Sequence, residues 1–253
     1  GKDQRRPGPP EPRVRGGATE PMSGMHYEGM IIRPPSEADS ILLQVTVGCS
    51  HNQCSFCGAY KEKRFRIKDP EIIDQDIDYA AANYSFLHRV FLLDGDALIV
   101  PQPRLVGILE RIREKMPWIR RVGVYGNAKS ILRKTPEELN ALRELGLGIV
   151  YLGLESGDAQ VLEDIRKGVS PERMVEAGVR VRRAGIKLSV TVILGIAGLE
   201  RSRIHAKATG EALSAMDPNY VGALTLMVLP NTETAQRVSR GIFRVPEPRE
   251  LLA

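Results

Sequence analysis

An alternation of short apolar runs and amphipathic stretches is the feature that most limits the folds open to this chain of 253 residues. Six runs are rich in β-branched or other apolar residues, and each is followed by a loop and a segment of helical periodicity. The runs are residues 41–47, 89–93, 121–125, 149–154, 188–194 and 220–228. Strands that alternate with helices form a parallel sheet through right-handed crossovers. We therefore predict an α/β fold with a parallel sheet of six β-α units.

The helical segments carry recognisable boundaries and apolar faces. Thr135 and Ser170 are in N-cap positions, and Gly146 and Gly185 follow the two helices that these residues begin. The last helix of the repeat has a predicted apolar face, formed by Ile204, Ala208, Ala212 and Ala215. Six units are too few to close an eight-stranded barrel. We predict a curved, partly open (βα)6 barrel whose ligands bind at the carboxyl ends of the strands.

Composition divides the chain into three parts. Residues 1–24 are rich in Pro, Gly and Arg, which predicts a disordered basic tail. Residues 25–230 hold the predicted barrel, and residues 231–253 are expected to form a C-terminal tail. No apolar run reaches the roughly 20 residues that span a bilayer, no signal peptide is visible, and no disulfide framework is expected. We expect a cytoplasmic protein without membrane contact.

The three cysteines of the chain lie in one loop, directly after the first predicted strand. Cys49, Cys54 and Cys57 have the spacing C-x4-C-x2-C, which indicates a soft-ligand metal site. A cubane [4Fe-4S] cluster held by three thiolates keeps one iron free for a substrate or cosubstrate. The residues alone leave three alternatives. These are a plant-type ferredoxin site, which needs a fourth cysteine, a zinc site that includes His51 or a distant histidine, and three buried structural thiols.

Polar residues and glycines follow the other predicted strands. The loops contain Asp94-Gly95-Asp96, Tyr125-Gly126-Asn127, Glu155-Ser156-Gly157 and Leu194-Gly195. Turn residues are common at strand ends, so a single loop of this kind is weak evidence. Because parallel strands end at the same edge of a sheet, all of these loops and the cysteine loop are expected to face one mouth.

These motifs resemble those of the radical S-adenosylmethionine (SAM) superfamily over about residues 41–230. The resemblance is closest to the subgroup of oxygen-independent coproporphyrinogen III oxidase, the elongator-type tRNA enzymes and the methylthiotransferases, which usually carry C-x3-C-x2-C. It implies that a [4Fe-4S] cluster binds SAM and cleaves it reductively to a 5′-deoxyadenosyl radical. That radical abstracts hydrogen from a substrate that the sequence does not identify. An external one-electron reductant of the flavodoxin or ferredoxin type is implied as a partner.

The resemblance also implies which residues contact SAM. The backbone of Phe56 would lie against the adenine, together with Leu194 and Gly195. Asp94, Gly95 and Asp96 occupy the place of the family's Gly-Gly-Glu-like motif, which binds the SAM amino group. The remaining implied polar contacts are Asn127, Glu155, Ser156 and Lys167. Pro230-Asn231-Thr232 stands where the subgroup often has Pro-Gly-Thr.

Two other classes of protein stay open. A non-catalytic iron–sulfur or zinc protein would bind no SAM. An RNA-binding or RNA-modifying module would use the basic tail and the net charge of +5, which is weak evidence for nucleic acid. With no further cysteines for a second cluster, sulfur insertion of the methylthiotransferase kind is not expected. A cobalamin-binding domain is not expected within this length either.

Overall fold

The computed structural model describes residues 24–247 and 249–250, so the predicted tail before Gly24 lies outside the described residues. In chain order the elements are β1 Ile41–Gln44, β2 Thr46–Val47, β3 Arg66–Ile67, α1 Pro70–Asn83, β4 Arg89–Leu93, α2 Gln102–Lys115, β5 Arg121–Tyr125, α3 Ala128–Arg133, α4 Pro136–Glu144, β6 Leu147–Glu155, α5 Ala159–Asp164, α6 Pro171–Arg183, β7 Lys187–Leu194, α7 Ser202–Met216, β8 Tyr220–Thr225 and α8 Glu233–Ser239. None of the described helices is long and apolar enough to cross a membrane.

The main sheet confirms the predicted fold class. Its six strands follow the order β1-β4-β5-β6-β7-β8, and each neighbouring pair is parallel. The order is also the order along the chain, because each strand joins the next through a crossover on one side of the sheet. β1 and β8 are the two ends of this sheet and do not pair with each other, so the barrel is open.

Several boundaries differ from the sequence prediction. The first run splits, because Thr46 and Val47 leave the parallel sheet and pair antiparallel with β3. The sixth strand ends at Thr225, three residues before the predicted end. The segment expected to form a C-terminal tail contains a helix, α8, whose N-cap Thr232 accepts a hydrogen bond from Ala235 N at 3.2 Å.

The predicted helix caps are present. Thr135 and Glu138 form a reciprocal capping box, with Glu138 N donating to Thr135 Oγ1 at 3.2 Å and Thr135 N donating to Glu138 Oε2 at 2.8 Å. An N-cap of this type contributes about 1 kcal/mol. Gly146 and Gly185 follow α4 and α6 with φ of +103° and +72°, a left-handed conformation that glycine adopts without a Cβ clash.

The two faces of the sheet are covered differently. Towards the helices, side chains such as Leu188, Val190 and Val192 of β7 are buried in the main core, each contributing about 1.5–3 kcal/mol. Inside the barrel, three rings pack edge to face with centroids 5.0 to 6.1 Å apart, namely Phe91, Tyr125 and Tyr151. Tyr27 packs against this inner cluster, and its hydroxyl donates to Leu42 O at 2.7 Å. The chain itself therefore fills this part of the interior.

The predicted apolar face of α7 is confirmed at Ala212 but wrong at Ile204 and Ala215, which are exposed. Ile204 is 52% exposed, whereas the buried face consists of His205, Thr209, Ala212 and Met216. Hydrophobic periodicity selects the most apolar face of a helix. α7 instead turns two polar side chains inward, because they bind the loop that follows β6.

Candidate active site

The cysteine loop begins after β2 and lies against the end of β4. Gly95 N donates to Gly48 O at 3.1 Å. A Cβ on Gly95 would lie 2.7 Å from Cε2 of Tyr60 and 3.0 Å from Cβ of Cys49. The glycine of the Asp-Gly-Asp motif is therefore needed for the close approach of the cysteine loop itself.

Cys49, Cys54 and Cys57 are half-buried free thiols. Burial raises the pKa of Cys54 to about 11, and the nearby Lys167 opposes this shift. Burial also raises the pKa of Cys57. A bound metal overrides such a shift, because a coordinating thiol is deprotonated by the metal.

The donor set has the chemistry of a soft-metal site. Cys49, Cys54 and Cys57 supply three thiols from one loop, and thiolates are the usual ligands of iron–sulfur clusters. Across residues 24–247 and 249–250, no three His, Cys, Asp or Glu side chains are arranged to hold a single metal ion.

His51 ties the cysteine loop to the segment after α5. Its Nε2 lies 2.7 Å from Arg166 O, and Ser55 N donates to Ile165 O at 2.9 Å. Burial lowers the pKa of His51, the bond to Arg166 raises it, and Lys129, among neighbouring lysines, lowers it. The imidazole is thus bound to the backbone of the segment after α5.

Asp94 is fully buried and joins strand β1 to the cysteine loop. Its Oδ2 accepts from Gln44 Nε2 at 3.0 Å, from Gly48 N at 3.1 Å and from Lys63 Nζ at 3.0 Å. Within the described residues its Oδ1 is buried without a hydrogen-bond partner. One oxygen of this carboxylate is therefore committed to the protein and the other is not.

Asp96 is also fully buried, and it joins three segments. Its Oδ2 accepts from the hydroxyls of Ser50 at 2.5 Å and Ser130 at 2.6 Å, and its Oδ1 accepts from Asn127 N at 3.1 Å. Burial raises its pKa, while these hydrogen bonds lower it. Ser50 and Ser130 were missed by the sequence analysis, since single serines carry no pattern. Asn127 caps α3, with its side chain accepting from Lys129 N at 3.0 Å.

Glu155 and Lys167 form an ion pair beside the cysteines. Lys167 Nζ lies 2.8 Å from Glu155 Oε1, and the two side chains are 14% and 11% exposed. Burial lowers the pKa of Lys167, but Glu155 and then Cys54 raise it, and the net shift is upward. A charged ammonium is therefore held near the thiols, where it favours their ionised form.

The hydroxyl of Ser156 faces α7. Its Oγ lies 2.8 Å from Nδ1 of His205 and accepts from Asp158 N at 3.0 Å, and the residue is fully buried. The structure thus brings Glu155 and Lys167 to the cysteine loop but gives the Ser156 side chain other partners. Sequence reasoning missed His205, although a polar pair four residues apart on a helix, His205 and Thr209, was visible.

A cavity of ≈ 310 Å³ adjoins Phe56 between the cysteine loop, α5 and the loop after β7. Its apolar lining includes Val161, Ile165 and Ile196. Leu194 and Gly195, which were predicted beside Phe56, do not line it, and Leu194 is 37% exposed. The lining starts two residues later, because β7 continues through Leu194.

The segment after β8 also reaches the cysteine loop. Asn231 Nδ2 donates to Gly58 O at 2.9 Å, and a Cβ on Gly58 would lie 2.2 Å from Asn231 Oδ1. Thr234 N donates to Ser55 O at 3.1 Å. The cysteine loop is therefore held from β4, α5 and the segment that carries α8.

The radical SAM superfamily model matches residues 43–206. The chain belongs to the radical SAM superfamily, which confirms the family that the motifs indicated.

Individual relatives are more distant. The chain is 24% identical over 188 residues to the uncharacterized methyltransferase PH0819 of Pyrococcus horikoshii, covering 73% of this chain and 39% of that protein. Its fold is similar to that of the cobalamin-dependent SAM radical enzyme OxsB, with 17% identity, a TM-score of 0.64 and coverage of 79% of this chain and 35% of that one. It is similar to coproporphyrinogen III oxidase HemN of Escherichia coli, a radical SAM enzyme, with 14% identity, a TM-score of 0.60 and coverage of 84% and 49%. The chain thus spans less than half the length of each of these relatives.

Proposed function

We propose that this chain is the radical-generating core of a radical SAM enzyme. Cys49, Cys54 and Cys57 hold a [4Fe-4S] cluster, and SAM binds at its open iron. The observation that carries the proposal is the meeting of the three-cysteine loop with the Glu155–Lys167 pair at the carboxyl ends of a parallel sheet. Family membership supports the same reading.

When both are bound, the reduced cluster and SAM supply methionine and a 5′-deoxyadenosyl radical. The residues of this chain supply placement. Lys167 offers a cation to the SAM carboxylate, and Glu155 offers an acceptor to an ammonium or a ribose hydroxyl. Asp94 and Asp96 fix the cysteine loop and the loop after β5 through the hydrogen bonds described above. The free Oδ1 of Asp94 is a further acceptor near the thiols.

The cavity beside Phe56 suits the adenine. A volume of ≈ 310 Å³ is at the small end of ligand pockets. Val161, Ile165 and Ile196 offer apolar contacts to a planar ring, and the lining also includes polar side chains such as Asp164 and Arg201. Leu194 and Gly195 remain proposed backbone contacts at the edge of this site.

An external reductant and a substrate complete the proposed reaction. Residues 61–66, which follow the cysteine loop, carry four basic residues and Glu62. Lys63 is bound to the buried Asp94 and Arg66 pairs with Glu28, so Lys61 and Arg64 carry the remaining positive charge. This small excess suits an acidic electron donor of the flavodoxin or ferredoxin type. It would also attract RNA, which remains the alternative partner.

The test is SAM cleavage by anaerobically reconstituted protein. With dithionite and SAM, the chain should form 5′-deoxyadenosine and methionine, measured by liquid chromatography. The Cys54→Ala variant, which lacks one cluster ligand, should form neither. An intact four-iron cluster with bound SAM and no cleavage above this control would contradict the proposal.

Methyl transfer is a second candidate outcome, because PH0819 is named a methyltransferase. Transfer of the SAM methyl group to an acceptor leaves S-adenosylhomocysteine, whereas reductive cleavage leaves 5′-deoxyadenosine. The same assay measures both products when a methyl acceptor is added.

A further inference from the structure

The inward face of α7 is polar where it meets the loop after β6. His205 Nδ1 lies 2.8 Å from Ser156 Oγ, and Thr209 Oγ1 accepts from Gly157 N at 2.9 Å. His205 and Thr209 are each 5% exposed. Burying a polar side chain costs free energy unless it is hydrogen-bonded. His205 and Thr209 obtain these hydrogen bonds from the loop after β6.

An ion pair also joins the residue before α7 to the loop after β6. Arg201, directly before α7, donates from Nε to Asp158 Oδ2 and from Nη2 to Asp158 Oδ1, both at 3.0 Å. Asp158 also caps α5, accepting from Gln160 N at 3.0 Å. A Cβ on Gly157 would lie 2.2 Å from the backbone oxygen of Ala208, so the loop rests directly on the α7 backbone.

The attached loop contains a strained residue. Glu155 has φ of +63°, and Ser156 N donates to Leu154 O at 2.8 Å, which closes a three-residue turn around Glu155. The register between β6 and β7 shifts at the same point. A non-glycine residue keeps such a conformation only when its surroundings over-determine it. The turn sends the Glu155 side chain towards Lys167 and the Ser156 side chain towards α7.

We propose that Arg201, His205 and Thr209, here called the α7 clamp, are positioning residues that hold Glu155 and Lys167 beside the cysteine loop and so set the affinity for SAM. This inference rests on the proposed function. Arg201 also lines the cavity beside Phe56, whereas His205 and Thr209 are not among its lining residues. The clamp acts through the Glu155–Asp158 turn.

The protonation of the clamp is consistent with this role. Burial lowers the pKa of His205, while Asp158 raises it, and the net shift is downward. A neutral imidazole can accept at Nδ1 from the Ser156 hydroxyl, whose oxygen in turn accepts from Asp158 N. The Ser156 hydroxyl and Asp158 N then each have an acceptor, and Thr209 Oγ1 also lies 3.3 Å from Nδ1.

The experiment measures SAM affinity of the reconstituted, cluster-bearing protein by equilibrium dialysis, together with iron content and melting temperature. Thr209→Val is nearly isosteric and leaves Gly157 N without its acceptor. His205→Leu removes the partner of Ser156. Both variants should retain iron and weaken SAM binding by about tenfold. Thr209→Ser and His205→Asn, which keep a side-chain acceptor, should recover most of the affinity.

Ser214→Ala is the matched control, because the hydroxyl of this exposed α7 serine donates to Gly210 O of its own helix at 2.9 Å and, within residues 24–247, to no other group. It should leave SAM affinity unchanged. If Thr209→Val lowers the melting temperature but leaves the SAM affinity of the wild type, the clamp is only structural and the inference is overturned. If the wild type holds its cluster but binds no SAM, the proposed function itself fails. Thr209→Val decides the question even if His205→Leu does not fold.

Discussion

At the residue scale, two buried carboxylates at the carboxyl end of the sheet each accept hydrogen bonds from several segments of the chain. Asp96 joins Ser50, Ser130 and the backbone of Asn127, and Asp94 joins β1 to the cysteine loop. Sequence reasoning placed both at strand ends, because polar residues after apolar runs are visible in one dimension. It could not find their donors, since a serine 34 positions away leaves no periodic signal. Direct contacts of these carboxylates with SAM remain predictions.

A pH prediction belongs to His205. Burial lowers its pKa from the ordinary value of 6.5, so the unfolded chain binds more protons than the folded chain just below that pH. The contribution of His205 to the unfolding free energy is therefore complete above about pH 6.5 and falls as the pH drops towards the lower folded pKa. His205→Asn keeps an acceptor for Ser156 but does not titrate. In urea titrations, the wild type should lose stability relative to this variant between about pH 7 and pH 5. A difference that stays constant over that range would contradict the prediction.

At the element scale, strong periodicity made most strands and helices predictable. The six parallel strands and the caps at Thr135 and Ser170 follow local rules; both caps are present, and each strand overlaps its predicted run. The two-residue pair β2–β3 was missed, because two residues show no period. The buried face of α7 was assigned wrongly in part, for a different reason. Its orientation is set by hydrogen bonds to a loop that lies 49 residues earlier in the chain, as in the contact of His205 with Ser156.

Alanine substitutions at two glycines, Gly157 beside α7 and Gly210 within it, are expected to change the stability of the fold in opposite directions. A Cβ on Gly157 would lie 2.2 Å from Ala208 O, a backbone atom that cannot move without shifting the helix. Gly157→Ala should therefore destabilise the fold by about 2 kcal/mol or more. Gly210 has nothing within 4 Å of an added Cβ, so Gly210→Ala should stabilise α7 by about 1 kcal/mol. Urea unfolding of both variants checks the contrast, and equal effects would contradict the packing described here.

At the scale of the whole molecule, the parallel sheet collects distant residues at one mouth. Because every strand runs the same way, the ends of β4, β5, β6 and β7 lie on the side of the cysteine loop, and the sequence was enough to predict this convergence. The sequence did not reveal that α8 and Asn231 would hold that loop from the far end of the barrel, because such contacts join residues up to 179 positions apart. The sequence thus predicts the fold better than it predicts the contacts that hold the cysteine loop in place.

Three thiolate ligands would leave one iron of a [4Fe-4S] cluster open for SAM. The measurement that tests this proposal is electron–nuclear double resonance on the dithionite-reduced, reconstituted chain with SAM labelled with ¹⁵N and ¹⁷O at its amino and carboxylate groups. We predict a four-iron signal that changes when SAM is added and that couples to both labels. A four-iron signal unaffected by SAM, or stoichiometric zinc in place of iron, would contradict this prediction.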